Sequence, residues 1–228
     1  MMRASLRYLR MNLYRLFQLR YFIGILIFIY LLSIVSFMID KGDAWAYFAI
    51  HDKNVLSNNM NWLSFYVFPL LIPFNFFGQV LVQDNPFDFI RIRHPKILFL
   101  LSIACMGVYV SLYVFLSILL AFFFQVDNVM PLTDILSLFI HLLLSIWGML
   151  CLQIAIHCLG YSVLGLVLNL AIIVHSFYSR MDFTLIITQP FTQMTVGSLL
   201  VRLFILLLMI GLTYIVYSYL PRLKIKSH

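Results

Sequence analysis

Five polar side chains stand in stretches otherwise made of Phe, Leu, Ile, Val and Met: Asn75, Gln79, Gln153, His157 and Asn169. Asn and Gln offer donors and acceptors without charge, and His adds two ring nitrogens. Asn75 and Gln79 are four residues apart, as are Gln153 and His157, so on helices each pair shares a face. Such faces suit two uses, lining a polar path for a substrate or hydrogen bonding from helix to helix. They do not suit bond-making chemistry. The chain contains no Glu, and no carboxylate falls deep in an apolar stretch, so a membrane-embedded acid pair or a carboxylate for ion coupling is missing. There is no H-E-x-x-H, no G-x-S-x-G and no G-x-x-x-x-G-K-[ST] phosphate loop. Cys105, Cys151 and Cys158 have neither disulfide-framework nor metal-ligand spacing and read as packing residues. His141 and His175 read as satisfied packing histidines, and Arg202 lies near a span end. The expectation is a chain without catalytic residues, metal or bound cofactor of its own.

The elements that must hold these residues are membrane helices. Of 228 residues, 64% are hydrophobic and 10% charged, with 22 Phe and 13 Tyr, which does not describe a water-soluble domain. A bilayer core needs about 20 apolar residues per helical span. Six stretches meet that need, near 21–39, 62–82, 97–124, 135–156, 161–178 and 199–220. The fold class is therefore all-α, a polytopic membrane protein in which residues 21–228 form a single six-span domain. Residues 1–20 lack a continuous apolar core and are not read as a cleavable signal. On a helical wheel Met2, Leu6, Leu9, Leu13, Leu16 and Phe17 gather opposite Arg3, Arg7, Arg10, Tyr14 and Gln18. That segment is an amphipathic interfacial helix, an elbow leading into the first span. In the second span Pro69 and Pro73 each remove a backbone donor, and neighbouring helices are expected to satisfy the carbonyls so freed.

Charge distribution orients the bundle. Eleven of the 15 basic residues lie in the N-terminal segment, in the 83–96 loop (Arg91, Arg93, Lys96) or in the C-terminal tail (Arg222, Lys224, Lys226). Six of the eight acidic residues, Asp40, Asp43, Asp52, Asp127, Asp134 and Asp182, fall on the other side. Basic residues near span ends stay cytoplasmic, so both termini are expected inside. The formal charge of +7 is then a topology signal with some attraction for anionic lipid. No nucleic-acid partner is implied, because the basic residues form no compact aromatic-interleaved face.

The loop between the second and third spans, "LVQDNPFDFIRIRHPKILF", is a charged island. Asn85 suits an N-cap, Pro86 the first helical position, and Asp88 the first turn, where the helix dipole favours a carboxylate. Pro95 disfavours helical geometry at His94. A two-turn helix over about 86–93 results, too short to be stable alone in water. Something should pack on it, either the lipid headgroup layer or a groove on a cytoplasmic protein with Phe87 or Phe89 as anchor.

This layout of basic elbow "RASLRYLRMNLYRLFQLR", six spans, capped helix "NPFDFIRIR" and irregular external segment "SRMDFTLIITQPFTQMTVG" resembles the permease subunits of ABC type-2 exporters. The short permeases encoded beside bacterial peptide or bacteriocin exporters are the nearest in layout. The resemblance implies that the helix between spans two and three is a coupling helix seated in a cleft of the ATPase subunit. Phe87, Asp88, Phe89, Ile90, Arg91 and Arg93 would be its contact residues. It also implies a cytoplasmic ATP-binding cassette partner that carries ATP and Mg, a second permease copy or homologue, and residence in the bacterial plasma membrane. The cargo would be a hydrophobic or amphipathic peptide, exported for secretion or self-immunity. Half of a secondary transporter, or a non-transporting immunity or scaffold protein, are the rival readings.

Overall fold

A computed structural model describes residues 47, 48, 50, 56–74, 76, 95–124, 131–179 and 196–226, together with Gly24, Ile27 and Leu31, which are helical. Five helices are described: α1 Met60–Leu71, α2 Pro95–Phe124, α3 Leu132–Cys158, α4 Ser162–Ser179 and α5 Val196–Lys226. No strand occurs among the described residues. Four of these helices, α2 to α5, are long and apolar enough to cross a membrane. The elbow, most of the first span and the 86–93 helix lie outside the described residues.

Local chemistry explains the helix ends. Pro95 opens α2, where a missing N–H costs nothing because the first turn has no partner for it. Pro131 precedes α3 in an extended conformation, and its carbonyl accepts the N–H groups of Asp134 (3.0 Å) and Ile135 (3.2 Å). Asp134 stands in the first turn of α3, where the dipole favours it. At the other end the Gly160 N–H reaches His157 O at 2.9 Å, and the Tyr161 N–H reaches Ile156 O at 3.2 Å. Gly160 has φ 95°. That is the paired-bond terminus in which a left-handed residue closes a helix, and an L side chain there would be strained. Only residues 159–161 separate α3 from α4, so these two helices form a tight antiparallel hairpin.

Cross-helix contacts fix the other directions. Tyr113 pairs with Phe65 and Tyr109 with Pro69, so α1 and α2 are antiparallel. Arg202 meets Ser145 and Thr213 meets Cys151, so α3 and α5 run parallel. Leu70 meets Gln153, while Trp62 lies 6.2 Å from Phe177 between ring centroids, so α1 runs with α3 and against α4. The end of α1, the start of α2, the end of α3, the start of α4 and the end of α5 therefore share one side of the bundle. We call it the turn side, after residues 159–161.

α3 is the central helix, packed against α1, α2, α4 and α5. Its side chains from Leu138 to Cys158 supply much of the core. α5 is peripheral, with Leu200, Phe204, Leu207, Leu208, Leu212 and Ile215 exposed, as a lipid-facing helix would have them. The free Cys105, Cys151 and Cys158 are all buried, as packing residues are. On the turn side Phe99 of α2 stacks on Tyr217 of α5 at 5.6 Å. On the opposite side Phe48, Phe65, Tyr66 and Trp62 form a chain of edge-to-face contacts, and Trp62 meets Phe177 in a tilted pair.

Candidate functional site

Buried polar groups gather in two layers of the bundle. The first surrounds a break in α1. After Leu71 the chain turns through residues 72–74, with the Phe74 N–H on Leu71 O (3.0 Å) and the Phe76 N–H on Pro73 O (2.8 Å). Pro69 has no N–H, so Phe65 O loses its helical donor; Pro73 has none, so Pro69 O loses one too. Phe74 bonds Leu71, so Leu70 O is also left without its usual donor. Each of the three carbonyls is met from another helix. The Tyr113 hydroxyl donates to Phe65 O at 2.9 Å, the Tyr109 hydroxyl to Pro69 O at 3.3 Å, and Gln153 Nε2 to Leu70 O at 3.5 Å. The expectation that neighbours would satisfy the carbonyls freed by proline therefore holds.

The same layer includes the α3–α4 crossing. Gly165 lies so close to α3 that an added Cβ would fall 2.9 Å from Gln153 O and 3.2 Å from Gln153 Cα. One turn further along α4, Asn169 Nδ2 donates to Met149 O at 2.9 Å. The carbonyl acceptors identify which amide atom is the nitrogen in both side chains. The oxygens then face elsewhere: Gln153 Oε1 and Asn169 Oδ1 are buried without a hydrogen-bond partner among the described residues. Thr213 of α5 donates toward Cys151 O at 3.1 Å and Met209 O at 2.7 Å.

The second layer lies toward the ends at which α3 and α5 begin. Arg202, 5% exposed, donates from Nη1 to Ser145 Oγ at 2.5 Å. Ser145 in turn donates to His141 O at 2.8 Å, which leaves its oxygen lone pairs for the guanidinium. His141 Nδ1 is 2.7 Å from Ser137 O and must be the donor there; Nε2 lies 3.0 Å from Ser198 Oγ. With Nδ1 protonated, the neutral ring accepts from Ser198 through Nε2. Arg202 lies about 9 Å along α5 from Val196 at 1.5 Å per residue. It is thus near the start of the span, as its place in the sequence implies, yet buried, because Ser145 on α3 offers it an oxygen there.

Of the polar residues singled out from sequence, Gln153 and Asn169 are buried and bonded across to α1 and α3, while His157 is half-exposed in the last turn of α3. Asn75 and Gln79 lie outside the described residues, as do Phe87, Asp88, Phe89, Ile90, Arg91 and Arg93. His141 is satisfied on both nitrogens, as a packing histidine should be, and His175 is exposed. Tyr109, Tyr113, Ser145 and Ser198 were not singled out, yet a signal for them exists. Two prolines four apart on one span face two tyrosines four apart on the next, and Ser137, His141 and Ser145 recur every four residues. No metal-holding group of His, Cys or Asp occurs among the described residues. Comparison with protein-family models, curated proteins and solved structures gives no match.

Proposed function

We propose that this chain is the membrane-spanning permease subunit of an ATP-driven exporter of the ABC type-2 kind, moving a hydrophobic or amphipathic peptide outward across a bacterial plasma membrane. The supporting observation is the arrangement of helix ends. The end of α1 and the start of α2 are neighbours on the turn side, so the chain between residues 76 and 95 begins and finishes there. Exposed Lys96 and the basic C-terminal part of α5 belong to the same side. A cytoplasmic turn side agrees with the retention of basic residues inside. It would offer the "NPFDFIRIR" segment to a soluble ATPase beneath the bundle.

In this reading ATP is held by the partner, since this chain has no phosphate loop. Closure of an ATPase pair pushes on residues 86–93 and tilts two copies of the bundle apart on the outer side. Phe87 and Phe89 are the aromatic anchors, and Arg91 and Arg93 steer or pair at the rim.

The test is the reconstituted complex isolated by co-purification in mild detergent. Truncating an aromatic hot spot typically costs about 2 kcal/mol, roughly a thirtyfold weaker contact. Phe87→Ala and Phe89→Ala should therefore lower transport and stimulated ATPase activity together, while the permease stays folded. Undiminished, coupled activity in the double variant would overturn the assignment. Single cysteines at positions 43, 127 and 182 should label from outside intact cells, and those at 96 and 224 should not. The break in α1 beside buried amides also suits half of a secondary transporter, whose discontinuous helices expose carbonyls at mid-depth. Transport that follows an ion gradient and ignores ATP would favour that alternative.

A further inference from the structure

Three donors serve the three freed carbonyls of α1, but they are not equivalent. Phe65 O and Pro69 O lack their α-helical donor whether α1 bends or not, because residues 69 and 73 are prolines. Tyr113 and Tyr109 are therefore permanent mounts that tie the first part of α1 to α2. Leu70 O is different. Its helical donor exists, the Phe74 N–H, and is merely turned to Leu71 O at 3.0 Å. If α1 continued as an α-helix through residue 74, that N–H would return to Leu70 O and Gln153 Nε2 would be released. The Phe74 N–H is bonded either way.

We propose that residues Leu71–Phe74 are a two-position hinge, with Tyr109 and Tyr113 as the fixed mount and Gln153 as the latch that holds the bent position. Two observations keep the positions near balance. The latch bond is long, 3.5 Å, and Gln153 Oε1 is buried without a partner, which burdens the bent state. Against that, the Pro73 ring opposes the straight state through its clash with Pro69 O. Gly165 lets α4 lie against the Gln153 backbone, with its nearest side-chain approach at Gln153 Cγ, so the latch residue is held from behind. The side chain can release Leu70 without α3 and α4 moving apart.

The use of the hinge rests on the exporter reading; its existence does not. The chain beyond residue 76 leads to the 86–93 segment. A push there would be taken up at 71–74 while the mounted part of α1 stays with α2.

The test is pulsed electron–electron spin resonance on the full chain in lipid nanodiscs, with labels at cysteines introduced at 76 and 112. A control pair at 60 and 112 reports the mounted part. Leu112 and Met60 are exposed, and the buried native cysteines stay unlabelled. The 76–112 pair should show two distances and the control pair one. Gln153→Met removes the latch at nearly constant volume and should shift the ratio toward the straight position by up to roughly threefold, the value of an average hydrogen bond between membrane helices, reduced by the relief of the partnerless Oε1. Pro73→Ala acts from the other side and should shift it in the same direction. For the mounts, Tyr113→Phe should lower the melting temperature, and Pro69→Ala, which returns an N–H to Phe65 O, should restore it. A single 76–112 distance unmoved by either Gln153→Met or Pro73→Ala overturns the hinge, whatever the partner proves to be. Two distances that respond to these variants but not to an ATPase subunit or to nucleotide leave the hinge standing and remove the exporter role.

Discussion

The two polar layers differ in what they serve. Around the break in α1 the groups in need are main-chain carbonyls, and neutral side chains from α2 and α3 stand in for missing N–H groups. Around Arg202 the group in need is a charge, and the Ser145 hydroxyl, itself donating to the main-chain carbonyl of His141, offers it oxygen. Losing a donor in the first layer exposes one neutral carbonyl to an apolar interior. Removing an acceptor in the second leaves a cation less well solvated, which is dearer in a low-dielectric setting. The first layer is accordingly suited to movement and the second to holding two helices in register.

The contrast can be broken most severely by space rather than by hydrogen bonding. Gly165→Val should drive α3 and α4 apart at the Gln153 level and destabilise the fold by about 3 kcal/mol, since the added Cβ meets backbone and not a flexible side-chain tip. A thermal melt in detergent reads this, and a Val variant that melts like the parent would show that the helices cross less tightly. Next comes Ser145→Ala, expected to cost about 2 kcal/mol because it takes an acceptor from a buried guanidinium. Denaturant titration of helical signal measures it, and an effect no larger than that of a neutral pair would mean Arg202 is solvated elsewhere. Ser198→Ala removes the donor to His141 Nε2 and should cost about 1 kcal/mol. Comparing its melting shift with that of Ser145→Ala separates a neutral from a charged hydrogen bond within the same layer.

Smallest is Asn169→Leu. The variant loses the bond to Met149 O, worth about 0.6 kcal/mol on average between membrane helices. It also removes the buried Oδ1 that has no partner, so the net change should lie between that loss and zero. A drop comparable to Ser145→Ala would give Asn169 a larger role than its geometry does.

Much of the fold was legible. The apolar runs 97–124, 135–156, 161–178 and 199–220 correspond to α2 to α5, because hydropathy reads bilayer thickness directly. The helices extend beyond some of those limits, most of all α5, which reaches Lys226, because a helix need not stop where apolar residues do. Hydropathy gives one kinked span over 62–82; the described helix runs Met60–Leu71 and turns at 72–74, since Pro73 and the rebonding of Phe74 interrupt the ladder. That Pro69 and Pro73 would need outside donors followed from their chemistry. Which donors did not, because a tyrosine inside a span reads the same whether it faces lipid or a carbonyl. The place of Arg202 near a span end follows from sequence; its burial against Ser145 does not, because sequence alone cannot show which helix lies beside it.

The three-residue connection at 159–161 also bears on how the chain is assembled. A hairpin closed by contacts so near in sequence forms quickly once both helices are made. α3 and α4 can thus pair while α5 is still being synthesised. The Arg202 guanidinium then arrives in a bilayer where Ser145 is already oriented toward His141 O with its lone pairs free. Insertion of an arginine is unfavourable by about 3 kcal/mol at the centre of a helix on translocon scales and by less at the position of Arg202 nearer one end, and the leucine-rich length of α5 offsets it. The earlier hairpin acts as a template that tells the last helix how deep to stand.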